Sequence, residues 1–175
     1  MRLSRFLAAG SSLAQFDLVT VWRIGSGLAE VWEAITRPAG WPLWWPGLEA
    51  ATELDPGGPD GLRNRQRFVW KGVLPYRLGT EITTVRLDPM RLIEGEASGD
   101  VRGVGIWRFA EKTGLVEVRH EWRVRAVKPW LFALAHLARP LVCFNHGRIM
   151  EWGAQGLARR LGASVCRVER NPRED

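Results

Sequence analysis

The chain has little of what would place it outside the ordinary globular class. Its 175 residues include two cysteines, Cys143 and Cys166; that is too few for a disulfide framework and fits a reducing, cytoplasmic setting. Only three histidines are present. Cys143 and His146 lie on one stretch of helix, but a zinc site needs four protein ligands, or three and a water. No carboxylate or second Cys/His pair joins them, so no metal is expected. Long hydrophobic runs are missing too. The longest, Trp130 to Phe144, is interrupted by His136, Arg139 and Pro140 and falls short of the ~20 residues that cross a bilayer. Met1–Arg5 is basic and Phe6–Ala14 mildly apolar, yet Gly10, Ser11 and Ser12 spoil it as a signal sequence. Residues 1–15 are expected to form an N-terminal arm.

Tyrosine is nearly absent as well, with one residue against ten tryptophans. So many large aromatics predict an apolar interior bigger than packing alone requires. Charge is unevenly spread: residues 101–170 carry 13 Arg/Lys and 5 Asp/Glu, whereas residues 1–100 carry 11 and 12. A basic half can mean nucleic acid or an anionic membrane. Most of these arginines alternate with apolar residues, however, which reads as the solvated face of a sheet.

Phe16–Ile24 alternates at strand period. Gly25-Ser26-Gly27 breaks it, and Ser26 is placed to cap a helix over Leu28–Thr36, with Leu28, Val31, Trp32 and Ile35 on one face. Pro38 stops that helix, and Trp41-Pro42-Leu43-Trp44-Trp45-Pro46-Gly47 follows as a second short helical turn. From Leu48 to Ala126 strands recur about every dozen residues between Gly/Pro/Asp turns, the pattern of an antiparallel meander. In its last strand Val116, Val118, His120, Trp122 and Val124 face one way, and Glu117, Arg119, Glu121, Arg123 and Arg125 the other. One face is therefore buried and one wet. Pro129 opens a helical region reaching Gly162, with His146, Ile149, Met150, Gly153, Leu157 and Leu161 inward and a break expected at Pro140. The polar segment 163–175 is expected to be a frayed tail, which leaves one domain over 16–162.

The motifs exclude several chemistries. Gly25-Ser26-Gly27 follows a strand as a dinucleotide fingerprint would, but the third glycine of that pattern is Glu30, whose charge would repel a pyrophosphate. No cofactor is expected. Cys143 sits inside an apolar helical face, where a buried inert thiol is the ordinary outcome. Stacking platforms for single-stranded nucleic acid interleave aromatics with basic residues on one face. Trp122 and its flanking arginines lie on opposite faces, so no nucleic-acid partner is expected.

The order of one strand, two short helices, a run of strands and a long C-terminal helix resembles the START/Bet v 1-like (SRPBCC) superfamily, and within it the polyketide cyclase/dehydrase-like branch. The residues that carry the resemblance are Val31-Trp32, the Trp41–Pro46 segment, Trp70-Lys71-Gly72-Val73-Leu74-Pro75-Tyr76 and Gly99–Trp107. Glu121-Trp122-Arg123-Val124 and Asn145-His146 with Met150, Gly153, Gly156 and Leu157 complete the set. The resemblance implies an α+β helix-grip fold, a curved antiparallel sheet of about seven strands around the C-terminal helix. It also implies a hydrophobic small-molecule partner (polyketide-like, aromatic or lipid) in a cavity between the two. Trp44, Trp45, Trp70, Tyr76, Trp107, His120, Trp122, Asn145, His146 and Met150 are the candidate ligand-binding residues. Two other readings stay open. One is a cyclase or dehydratase using His120 or His146 for proton transfer. The other is a lipid carrier touching membranes through Trp130–Leu134 and the basic strand beside it. Neither oligomeric state nor a catalytic residue is assigned.

Overall fold

A computed structural model describes residues 14–171, so most of the expected N-terminal arm lies outside the described residues. Eight strands form one antiparallel sheet: β1 (Gln15–Ile24), β2 (Leu48–Asp55), β3 (Arg65–Trp70), β4 (Leu78–Asp88), β5 (Leu92–Gly99), β6 (Val101–Lys112), β7 (Leu115–Ala126) and β8 (Val165–Arg170). Their order across the sheet is β2-β3-β4-β5-β6-β7-β1-β8. Consecutive strands pair by short turns from β2 to β7, and β1 then closes against β7 with Thr20 opposite His120 and Trp22 opposite Val118. Helix α1 (Leu28–Thr36) and a 3-10 helix (Pro38–Leu43) lie between β1 and β2, and α2 (Pro129–Leu161) lies between β7 and β8. The helix-grip architecture is as expected.

Three details differ from the expectation. The sheet has an eighth strand where a frayed tail was expected: β8 pairs antiparallel with β1. Its sequence is too polar to signal burial, and its support is the backbone ladder plus Arg23, which bonds both Glu117 of β7 and Glu169 of β8. Residue 15 belongs to β1 rather than to an arm, and Ala14 is buried beside it. The cap of α1 is shifted by one. Gly27 is the N-cap, and Ser26 instead donates its hydroxyl to Glu30, which also accepts the Gly27 N–H.

Helix α2 breaks as Pro140 requires. Proline has no N–H, crowds the preceding turn and disfavours helical backbone just before it; the non-helical residue is Ala138, with φ −138° and ψ 36°. The two segments pack differently. Beyond the break, glycines let the helix approach its neighbours: a Cβ on Gly153 would collide with the Trp45 ring, and one on Gly156 with the Trp44 carbonyl. Trp45 also donates its indole N–H to the Ile149 carbonyl at 2.8 Å.

The core is divided. One cluster gathers Trp22, Val31, Trp41, Trp45, Phe68, Val116 and Leu157 under the C-terminal segment of α2. A second gathers Phe16, Leu18, Val101, Val124, Leu131 and Ala135 under its N-terminal segment. On the convex face of β7 the arginines form ion pairs around Glu121. That carboxylate is 4% exposed and is bound by Arg108 at 3.1 Å, Arg119 at 3.2 Å and Arg123 at 2.6 Å. Burial alone would raise its pKa, but the hydrogen bonds from Arg108 and Arg119 and the charge of Arg123 hold it below the usual carboxylate range.

Candidate functional site

Between the concave face of the sheet and α2 lies a cavity of about 630 Å³, within the range usual for small-molecule sites. Alternation on the strands aims side chains into it. β3 contributes Gln66, Phe68 and Trp70, β4 contributes Leu78, Thr80, Ile82 and Thr84, and β7 contributes His120, Trp122 and Val124. Leu131, Val142, Asn145, His146, Ile149 and Met150 close it from α2. At one end the lining reaches the exposed Arg37, Ala39, Glu53 and Pro56.

Nine of the ten candidate residues lie on the wall of this cavity: Trp45, Trp70, Tyr76, Trp107, His120, Trp122, Asn145, His146 and Met150. Trp44 does not lie on that wall. It is buried against Trp45, ring centroids 5.5 Å apart and nearly parallel, and its carbonyl meets α2 at Gly156. Neighbouring residues in a tight turn point in different directions, and the Trp41–Pro46 segment carries no period that would say which tryptophan faces inward. Sequence reasoning missed Gln66, Phe68 and Thr80. Their signal was present, since Gln66 and Phe68 are in phase with Trp70.

The polar groups of the cavity are few and differ in availability. Asn145 is spent. Its Oδ1 accepts the backbone N–H groups of Val73 at 2.7 Å and Leu74 at 3.1 Å, and its Nδ2 donates to the Tyr76 hydroxyl at 3.3 Å. Asn145 therefore ties the β3–β4 loop to α2 and positions Tyr76, whose own proton is left to donate. Burial pushes the Tyr76 phenol up, against a smaller lowering by the Asn145 bond. Thr80 accepts the Trp70 indole N–H at 3.1 Å. Among the described residues three buried side-chain atoms have no hydrogen-bond partner, Trp22 Nε1, His120 Nδ1 and Gln66 Oε1, and the last two belong to residues that line the cavity. A buried polar atom left unpaired costs about 1–3 kcal/mol, and both of these atoms are closed off from solvent by the surrounding side chains.

The two histidines face each other with ring centroids 6.4 Å apart, and His120 packs on Trp107 at 4.1 Å. Burial, and secondarily the neighbouring His146, lowers His120 to about 3. Burial, with the charge of Arg170 adding to it, lowers His146 to about 4. Both imidazoles are neutral at pH 7, each able to donate one hydrogen bond and accept one. Groups this weakly basic are poor proton acceptors at neutral pH, because general-base efficiency is best with a pKa near the working pH. Among the described residues no three His, Cys, Asp or Glu side chains converge as a metal site. No helix among them is long and apolar enough to cross a membrane.

The comparisons with known proteins agree with this geometry. The family model described as polyketide cyclase/dehydrase and lipid transport matches residues 19–162. No curated protein matches the sequence. Among solved structures, the chain is similar to the Zhui aromatase/cyclase from Streptomyces sp. R1128, with a TM-score of 0.67, 15% identity, and coverage of 85% of this chain and 94% of that one. A START superfamily protein from Mycobacterium smegmatis gives a TM-score of 0.66 at 12% identity, covering 84% and 98%. The di-domain aromatase/cyclase BexL of the BE-7585A biosynthetic pathway gives 0.65 at 16%, covering 87% of this chain and 52% of that one. At these identities the likeness is one of fold.

Proposed function

This chain belongs to the polyketide cyclase/dehydrase and lipid transport family, and on that premise we propose that it binds a hydrophobic small molecule, aromatic or polyketide-like, in the cavity between sheet and α2. The observation that carries the reading is the cavity of about 630 Å³ itself, whose mostly apolar wall includes the uncharged polar residues Tyr76 and His120, the latter beside Trp107. Neutral imidazole and the Tyr76 hydroxyl offer hydrogen bonds without fixed charge. A flat, uncharged ligand bearing hydroxyl or carbonyl groups matches the chemistry of that wall. Tryptophan fluorescence titrated with neutral hydroxylated aromatics tests it. Saturable quenching is expected, weakened roughly tenfold by His120→Phe, which keeps the ring and removes the polar atoms. Loss of quenching in His120→Phe protein that melts as the parent does would locate the ligand at this wall.

A second reading, cyclisation or dehydration of a polyketide-like chain, is favoured by one feature. A cavity that folds an extended substrate over Trp107 and Trp70 would supply orientation, which alone can account for several kcal/mol of a barrier. The low basicity of both histidines argues against proton abstraction by them. Product analysis with His120→Ala and His146→Ala separates the two readings, since unchanged products from folded variants would remove these residues from any catalysis.

A further inference from the structure

The cavity wall changes character across the sheet. Beside β1, β6 and β7 it is formed by Phe16, Leu18, Val101 and Val124, all buried and apolar. On the side of β2, β3 and β4 it includes Glu53, Asn64, Gln66 and Thr84, and it reaches the exposed Arg37 and Pro56. One charged group of this mouth is held in place by the fold. Glu53 stands opposite Gln66 in the β2–β3 register, and the pairing slips between Glu53 and Asp55, an irregularity of the kind that re-aims a side chain beside a site. Glu53 Oε2 accepts the Asn64 Nδ2 and Gln66 Nε2 amides, each at 3.0 Å. Those donors are fixed in turn, since Gln66 also donates to Asn64 Oδ1 at 3.0 Å and Asn64 to the Asp55 carbonyl at 3.1 Å.

Charge narrows what this mouth can receive. Both donors on Glu53 are neutral amides, so its negative charge stays uncompensated. Among the described residues no lysine or arginine pairs with it, and its Oε1 takes no bond from the chain. Arg37, the cation of the same mouth, is held by Glu33 at 2.8 Å. Arg65 and Arg67 flank Gln66 and so lie on the other face of β3. A carboxylate fixed by neutral amides, with one oxygen open, favours a hydrogen-bond donor and above all a cationic one, and it repels an acid. Because its position is set before any ligand arrives, little side-chain freedom is lost on binding.

We propose that Glu53 sets the polarity of the ligand: the aromatic body lies on the apolar wall, and the end that reaches the mouth is a hydrogen-bond donor, a hydroxyl or protonated amine, and not an acid. This rests on the cavity being a ligand site. The test is tryptophan fluorescence titrated with three anthraquinones that share one core and carry hydroxymethyl, aminomethyl or carboxylate at the same ring position. The aminomethyl compound should bind tightest and the carboxylate weakest, roughly tenfold apart at low salt, with the gap narrowing as salt is raised. Glu53→Gln, which keeps an acceptor for Asn64 and Gln66 and removes the charge, should bring the two within about twofold of each other. Thermal melts show that the variant is folded. Equal binding of the three, tighter binding of the carboxylate, or the same gap in Glu53→Gln would overturn the assignment and leave the cavity as a ligand site. Absence of saturable quenching by any of them would overturn both.

Discussion

The two segments of helix α2 are made of similarly apolar sequence and do opposite things. Beyond Pro140 the helix carries Gly153 and Gly156, sits against Trp45 and Trp44, and buries Ile149, Met150 and Leu157. Before it, Leu131 and Ala135 are buried while Trp130, Phe132 and Leu137 are exposed. Close backbone approach makes the first segment part of the fold's foundation. The second lies over the cavity wall and leaves apolar surface uncovered, so its sequence is spent on contacts the folded monomer does not complete. Hydrophobic content alone did not separate the two; the small residues did.

Breaking the tight segment should have the largest effect. Gly156→Ala forces the Trp44 backbone away from α2 and is expected to cost about 3 kcal/mol, read as a fall in melting temperature of roughly 6–12 °C. Gly153→Ala should act in the same direction through the Trp45 ring. Next comes acid, which attacks the junction at His146 and the facing His120. Both are neutral in the fold, while the unfolded chain takes up protons near pH 6.5. Their contribution is therefore complete above that pH and is lost as pH falls toward 4 and 3. It amounts to a few kcal/mol. The double variant His120→Phe, His146→Phe should show a flatter stability profile between pH 6.5 and 4 in urea titrations, and an unchanged slope would contradict the buried neutral pair.

Asn145→Ala should come third. It leaves the Val73 and Leu74 N–H groups without their acceptor, which should cost about 1–3 kcal/mol. The same change frees Tyr76, so ligand quenching should weaken more than the loss of stability explains. Smallest is Leu137→Glu on the exposed side, expected to move the melting temperature by no more than about 0.5 kcal/mol would. A large destabilisation there would mean that the Leu137 side chain is packed in the fold after all.

Much of the fold was legible because the sheet obeys a period. On β7 the alternation placed Val116, Val118, His120 and Val124 inside correctly, and they are buried. β8 was not legible, because an edge strand held by its ladder and by Arg23 needs no apolar face. The burial of Glu121 was equally hidden: it depends on Arg108 arriving from the neighbouring strand, and pairing register is not written in β7 itself. At the site, the candidates on strands and helix lie on the cavity wall, whereas Trp44 and Trp45 could not be told apart within an aperiodic turn. That Asn145 would be occupied by the β3–β4 loop rather than open to a ligand depended on a contact 72 and 71 positions away in sequence.

Fluorescence titration of the purified chain with a neutral dihydroxyanthraquinone tests the cavity most directly. The tryptophans around it, Trp41, Trp45, Trp70, Trp107 and Trp122, should be quenched saturably at one ligand per chain, with His120→Phe weakening the midpoint roughly tenfold. Quenching that rises linearly without saturation, or that is identical in the folded His120→Phe variant, would contradict a ligand site at this wall.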